Sequence, residues 1–153
     1  MSNKKFFKIL LLQLIAVTGV LMYLFVDSAD IYKLFMGDTK FTYASKECDL
    51  RVSSCSADVP ELGKITFDIE PKHIPLMETL TFRVKADLQA DKLDLNIYAT
   101  NMNMGYHRFT LKRVSKNIYE AKGILPTCTV GGMIWNAEVV SGNKGAIFNF
   151  QTK

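Results

Sequence analysis

The stretch Thr79-Leu80-Thr81-Phe82-Arg83-Val84-Lys85-Ala86 alternates polar with apolar side chains over its whole length. A period of two residues is typical of a β-strand that has one face on a core and the other in water. The same alternation occurs before it at 64–70 and after it at 93–98, with turn-forming residues between the segments. These segments predict successive strands of one domain.

Shorter segments extend the series on both sides. Strands are predicted at 107–113, 118–124, 133–140 and 146–151, and weaker ones near 41–43 and 50–52. Short strands separated by turns, without helical periodicity, are typical of an antiparallel β-sandwich. The sequence therefore predicts an all-β fold over residues 40–153, an immunoglobulin-like antiparallel β-sandwich of seven to nine strands.

The N-terminal part has a different character. Residues 9–26 carry no charge and are almost entirely apolar, and as a helix they would cover roughly 27 Å. Lysines precede this run and Asp27 follows it, so the positive-inside rule predicts a cytoplasmic segment at 1–8 and a periplasmic domain. We expect a single-pass transmembrane anchor at 9–26 in a bacterial inner membrane and a juxtamembrane stalk at 27–39.

A cleaved signal peptide is the alternative interpretation of the same run. Its apolar region is usually about 7 to 15 residues long and ends in small residues. The run at 9–26 is longer, and Val26-Asp27-Ser28 resembles a cleavage site poorly. These lengths favour an uncleaved anchor.

The net charge of +4 carries little functional information. Three of the lysines precede the apolar run, so residues 27–153 contain 16 basic and 15 acidic residues. No basic stripe remains for phosphate binding, which argues against a nucleic-acid partner.

An exported domain would meet an oxidising compartment, so its three cysteines are disulfide candidates. Cys48 and Cys55 are close in sequence and form the preferred pair because the loop between them is short. Cys128 would then be a free thiol, either buried or bound to a metal. A bond from Cys128 to Cys48 or Cys55 is the alternative pairing.

Two methionines, which are soft sulfur donors, lie close in sequence to a histidine in the segment Asn101-Met102-Asn103-Met104-Gly105-Tyr106-His107. Alternation would put the thioethers of Met102 and Met104 on one side, and a turn at Gly105 would bring His107 near them. With Cys128 these residues form a candidate metal site for Cu(I), the ion that soft ligands select. Ordinary packing of the methionines, with His107 at a solvated strand end, is the alternative. Met133 and Trp135 are expected in the core.

Three motifs carry a family resemblance: Cys48-Asp49-Leu50 with Cys55, the Met102-Asn103-Met104-Gly105 segment, and Leu125-Pro126-Thr127-Cys128 continuing to Trp135. Together they resemble a family of small bacterial membrane-anchored proteins. More distantly, the layout is similar to the FixH-like and YtkA-like exported domains. The FixH-like resemblance implies a role in copper supply to, or assembly of, cytochrome oxidases.

The sequence has no motif typical of an enzyme, such as Cys-x-x-Cys, Gly-x-Ser-x-Gly or His-x-x-x-His. Acidic residues on strands, such as Asp68 and Glu138, are expected on the solvated face. We therefore expect no catalysis and no small-molecule substrate. The predicted function is a membrane-anchored accessory protein that binds or transfers copper for an envelope redox complex, with a respiratory oxidase as candidate partner. The alternative is a metal-free interaction subunit of a membrane protein complex.

Overall fold

The computed structural model describes residues 3–25, 39–45, 48–127 and 131–152. Contacts divide the chain into two compact units, Met1–Asp38 and Thr39–Lys153. Residues 27–38 of the stalk predicted at 27–39 lie outside the described ranges, and so does Cys128.

The first unit contains helix α1, Asn3–Phe25. Its apolar side chains are exposed along the helix, from Phe6 to Val20. Thr18 donates its hydroxyl hydrogen to the Leu14 carbonyl oxygen over 2.8 Å, so this polar group is satisfied within the helix. In the part of the chain that the structure describes, no helix combines the length and the apolar character required for a membrane crossing.

The second unit consists of nine strands in the described ranges. They are β1 Lys40–Tyr43, β2 Cys55–Val59, β3 Gly63–Glu70, β4 Thr79–Ala86, β5 Lys92–Ala99, β6 Tyr106–Ser115, β7 Ile118–Ile124, β8 Met133–Ser141 and β9 Lys144–Thr152. All belong to one sheet in the order β1-β9-β8-β5-β6-β7-β4-β3-β2. Strands β1 and β9 are parallel, whereas the other neighbours are antiparallel.

The two ends of this sheet approach each other. Strand β2 at one edge contacts both β1 and β9 at the other, so the mixed sheet is nearly closed into a barrel. The rings of Phe67 on β3 and Phe148 on β9 lie 5.3 Å apart across the interior. The prediction of an all-β domain is confirmed. The strands form one sheet, and nothing in their order identifies an immunoglobulin-like sandwich.

The alternation that predicted the strands also fills the barrel. On β4, Leu80, Phe82 and Val84 are fully buried, whereas the side chains between them are partly exposed or point to solvent. Phe82 also packs against Phe67, with ring centroids 6.4 Å apart. Burying such side chains contributes about 1.5–3 kcal/mol each relative to exposure, so the inward face of the strands is the main source of stability.

The weak strand prediction at 50–52 is wrong. Asp49 accepts hydrogen bonds from the backbone and the guanidinium of Arg51, at 2.9 to 3.0 Å. The Val52 nitrogen also donates to the Asp49 carbonyl oxygen over 2.9 Å. These bonds close a turn, because a short acidic side chain competes for backbone donors that a strand would need. The strand begins instead at Cys55.

Candidate metal site

The methionine segment, residues 100–105, connects β5 to β6 as a loop and not as a strand. Gly105 has a φ of +74°, a value that favours glycine, and this lets the chain turn into β6. Met102 and Met104 are half-buried and pack against the core, whereas Asn101 and Asn103 are exposed. Both thioethers therefore lie on the inward side of the loop, although the backbone is not extended.

His107 lies at the beginning of β6, in register with Ile97 of β5. It belongs to the inward-facing set of its strand, which also contains the fully buried Leu111. The Nε2 atom of His107 is buried and has no hydrogen-bond partner among the described residues. A buried polar atom without a partner costs about 1–3 kcal/mol, so this nitrogen requires an explanation.

The indole ring of Trp135 packs beside this imidazole. The two ring centroids are 6.2 Å apart and the planes meet at 63°, an edge-to-face arrangement. The indole Nε1 donates to the hydroxyl oxygen of Thr152 over 3.0 Å, and the ring stacks on Phe150. Trp135 and Met133 are buried, which confirms the expectation that both lie in the core.

Asn101 joins the methionine segment to the strand that carries Trp135. Its side-chain nitrogen donates to the Gly132 carbonyl oxygen over 3.0 Å, and its side-chain oxygen accepts from the Ile134 nitrogen over 3.1 Å. The Thr100 nitrogen adds a bond of 2.8 Å to the Ile134 carbonyl oxygen. The Asn101 side chain thus extends the pairing of β5 with β8 beyond the last backbone hydrogen bond between the two strands.

Sequence reasoning did not single out Asn101 as a structural residue. The only available signal was an amide residue a few positions after the strand predicted at 93–98, in a place where such residues are common in turns and loops. Its partner is 33 residues further along the chain, so no local pattern reveals the bond.

The other candidate residues have different outcomes. Cys128 and its neighbours at 128–130 lie outside the described ranges, so its predicted role stays a prediction. Cys48 and Cys55 lie at disulfide distance, with Cα atoms 5.7 Å apart. Across residues 3–25, 39–45, 48–127 and 131–152, no three or more His, Cys, Asp or Glu side chains are grouped closely enough to hold a metal ion.

A second polar cluster lies on the outward face of β5 and β8. The Tyr98 hydroxyl donates to a carboxylate oxygen of Glu138 over 2.7 Å and accepts a hydrogen bond from Asn136 over 3.2 Å. Glu138 is buried, contrary to the expectation of a solvated position, because Asn96 and Tyr98 flank it on the neighbouring strand. Burial raises the pKa of the Glu138 carboxyl, and the hydrogen bonds from Tyr98 and Asn96 only partly oppose this.

Comparison of the chain with models of protein families, with curated proteins and with solved structures found no match. The resemblance to small membrane-anchored proteins therefore stays a prediction, and function has to be argued from the site itself.

Proposed function

We propose that this protein is a membrane-anchored accessory protein of the bacterial envelope that binds Cu(I) through Met102, Met104 and His107. The observation that carries the proposal is the buried Nε2 of His107, which lacks a hydrogen-bond partner in the described part of the chain. A ring nitrogen in that state is a ready metal ligand, because coordination satisfies the atom that burial leaves unpaired.

The donor set fits Cu(I) better than a harder ion. Thioether sulfur and imidazole nitrogen are soft or borderline ligands, which favour Cu(I) over the Mg²⁺ and Ca²⁺ of the medium. The two methionines precede His107 closely in sequence and are half-buried against the core. A bound ion would therefore have sulfur donors on the inward side of the loop and little access to water.

The remaining parts of the proposal follow from the N-terminal unit and the family resemblance. The exposed apolar side chains of α1 support an anchor in the inner membrane, with the β-domain in the periplasm. The FixH-like resemblance supports a role in the assembly or maintenance of a respiratory oxidase. We propose no catalytic activity. An immunoglobulin-like relationship is also part of the proposal, supported only by the number and shortness of the strands.

A metal-free interaction subunit is the second candidate function. The exposed apolar side chains of α1 favour it as well, because such side chains can pack against the membrane helix of a partner protein. Under this alternative, Met102 and Met104 serve only to fill the end of the barrel.

Titration of the full-length protein with Cu(I) in detergent separates the two functions. The reduced protein would compete with a chromogenic Cu(I) chelator under anaerobic conditions, with the exposed Met77 replaced by leucine as a matched control. We expect one ion per chain, at least tenfold weaker binding in the Met102→Leu, Met104→Leu double variant, and no change in Met77→Leu. Absence of stoichiometric binding to the wild type would rule out the copper function.

A further inference from the structure

We propose that the indole of Trp135 forms one wall of the Cu(I) site and makes the site selective for univalent soft ions, Cu(I) and Ag(I). This inference rests on the proposed copper function. It adds a residue that supplies no coordinating atom and that sequence reasoning assigned to the core alone.

The first step concerns the direction of the site. His107 and Trp135 both point inward, on β6 and β8, with β5 between them, and their ring centroids are 6.2 Å apart. A metal–imidazole bond is about 2 Å long, so an ion on the buried Nε2 lies in the same interior layer as the indole. The site therefore opens toward the barrel interior and not toward solvent.

The second step concerns what the indole can offer. Its only hydrogen-bond donor, Nε1, is committed to the buried hydroxyl of Thr152 over 3.0 Å. It is therefore not the missing partner of His107, and what it can offer a bound ion is its aromatic ring. Aromatic ring faces attract cations through their quadrupole but replace no water ligand of a hydrated ion.

The third step concerns the charge of the ion. The cost of moving an ion from water into an apolar layer rises with the square of its charge, so a divalent ion pays far more than a univalent one. Zn²⁺ in proteins is almost always held by four ligands, commonly anionic thiolates or carboxylates. Among the described residues, the ring of Trp135 lies beside His107, and Met102 and Met104 pack against the same core. This surrounding favours a univalent ion that tolerates few ligands.

Trp135 is the only tryptophan in the chain, so its fluorescence reports directly on this wall. The full-length reduced protein would be titrated with Cu(I), Ag(I) and Zn²⁺ in separate anaerobic experiments, with bound metal measured in parallel. We expect Cu(I) and Ag(I) each to change the indole emission in proportion to occupancy, with an endpoint at one equivalent. Zn²⁺ is expected to leave the emission unchanged at the same concentrations.

Two substitutions test the ring face itself. Trp135→Phe retains an aromatic face and Trp135→Leu removes it, and we expect Cu(I) binding about tenfold weaker in the leucine variant than in the phenylalanine variant. If either variant fails to fold, the wild-type titrations decide the question on their own.

The outcomes separate this inference from the function on which it rests. Stoichiometric Cu(I) binding without any change in indole emission would contradict the proposed role of Trp135 and leave the copper function intact. Zn²⁺ binding with an affinity equal to that for Cu(I) would do the same. No Cu(I) binding at all would remove the copper function and the wall with it.

Discussion

The side chain of Asn101 bonds to the backbone of Ile134 as a strand residue would, with its amide oxygen 3.1 Å from the Ile134 nitrogen. Together with the bond to Gly132, it fixes the methionine segment against β8. We therefore expect Asn101→Ala to lower the free energy of unfolding by about 1–2 kcal/mol and to weaken Cu(I) binding several-fold.

Asn103 provides the matched control for this prediction. It is exposed in the same segment, and within the described part of the chain its side chain accepts a local bond of 3.3 Å from the Gly105 nitrogen. Asn103→Ala should leave both the stability and the Cu(I) affinity nearly unchanged in urea denaturation and chelator competition. Equal losses in the two variants would show that Asn101 does not position the methionines.

Glu138 should make the stability of the β-domain depend on pH. Burial raises the pKa of its carboxyl in the folded state, so the folded protein favours the protonated form. The stabilising contribution is present below the pKa of the unfolded chain and is lost as the pH rises through the raised folded pKa. We expect Glu138→Gln to be more stable than the wild type above that range and not below it, by about 1.4 kcal/mol for each unit by which the pKa is raised.

The measurement is chemical denaturation of both proteins over a series of pH values, because the difference between them removes the contribution of all other groups. Glu78→Gln, which removes a carboxylate from an exposed side chain, is the matched control. A Glu138→Gln difference that does not change with pH would contradict the prediction.

Gly145 should not tolerate a side chain. A Cβ atom at this position would lie 2.6 Å from the backbone oxygen of Val139 and 2.9 Å from the ring of Phe41, which covers it from β1. We expect Gly145→Ala to destabilise the domain by about 1–3 kcal/mol, because a backbone oxygen cannot move aside cheaply. Thermal unfolding measures the effect. Gly142→Ala is not a suitable control: its Cβ would meet no neighbour, but the φ of +63° at Gly142 would strain an alanine.

Cys48 and Cys55 should be linked in the mature protein, with Cys128 as the free thiol. Peptide mapping without reduction is expected to yield a linked pair of peptides that contain Cys48 and Cys55. Replacing both by serine should lower the free energy of unfolding by about 2–3 kcal/mol, given the sequence separation of 7 residues. Recovery of Cys128 in a linked peptide would refute this pairing.

The strands were largely predictable because alternation is a local signal. On β4 and β5 the predicted and observed segments nearly coincide, since each inward side chain is apolar and each outward one is polar. How the strands assemble is not local. The parallel pairing of β1 with β9 joins residues about a hundred positions apart, such as Phe41 and Gly145, and no periodicity in either segment specifies it.

The candidate site was predictable in composition but not in geometry. Residue chemistry identified Met102, Met104 and His107, whereas the buried state of the His107 Nε2 depends on the inward register of β6 with Ile97. Glu138 shows the opposite case. Its outward position followed from alternation, but its burial results from Tyr98 and Asn96 on the adjacent strand, which sequence alone does not place beside it.

The parallel pairing of β1 and β9 also sets the distance between the beginning of β1 and the methionine segment. Lys40 pairs with Lys144 at one end of β9, whereas Met133, beside the loop that Asn101 anchors, pairs with Thr152 at the other end. Eight residue steps along an extended strand span about 26 Å. The methionine segment therefore lies at the end of the β-domain opposite to the one at which β1 begins, about one strand length away.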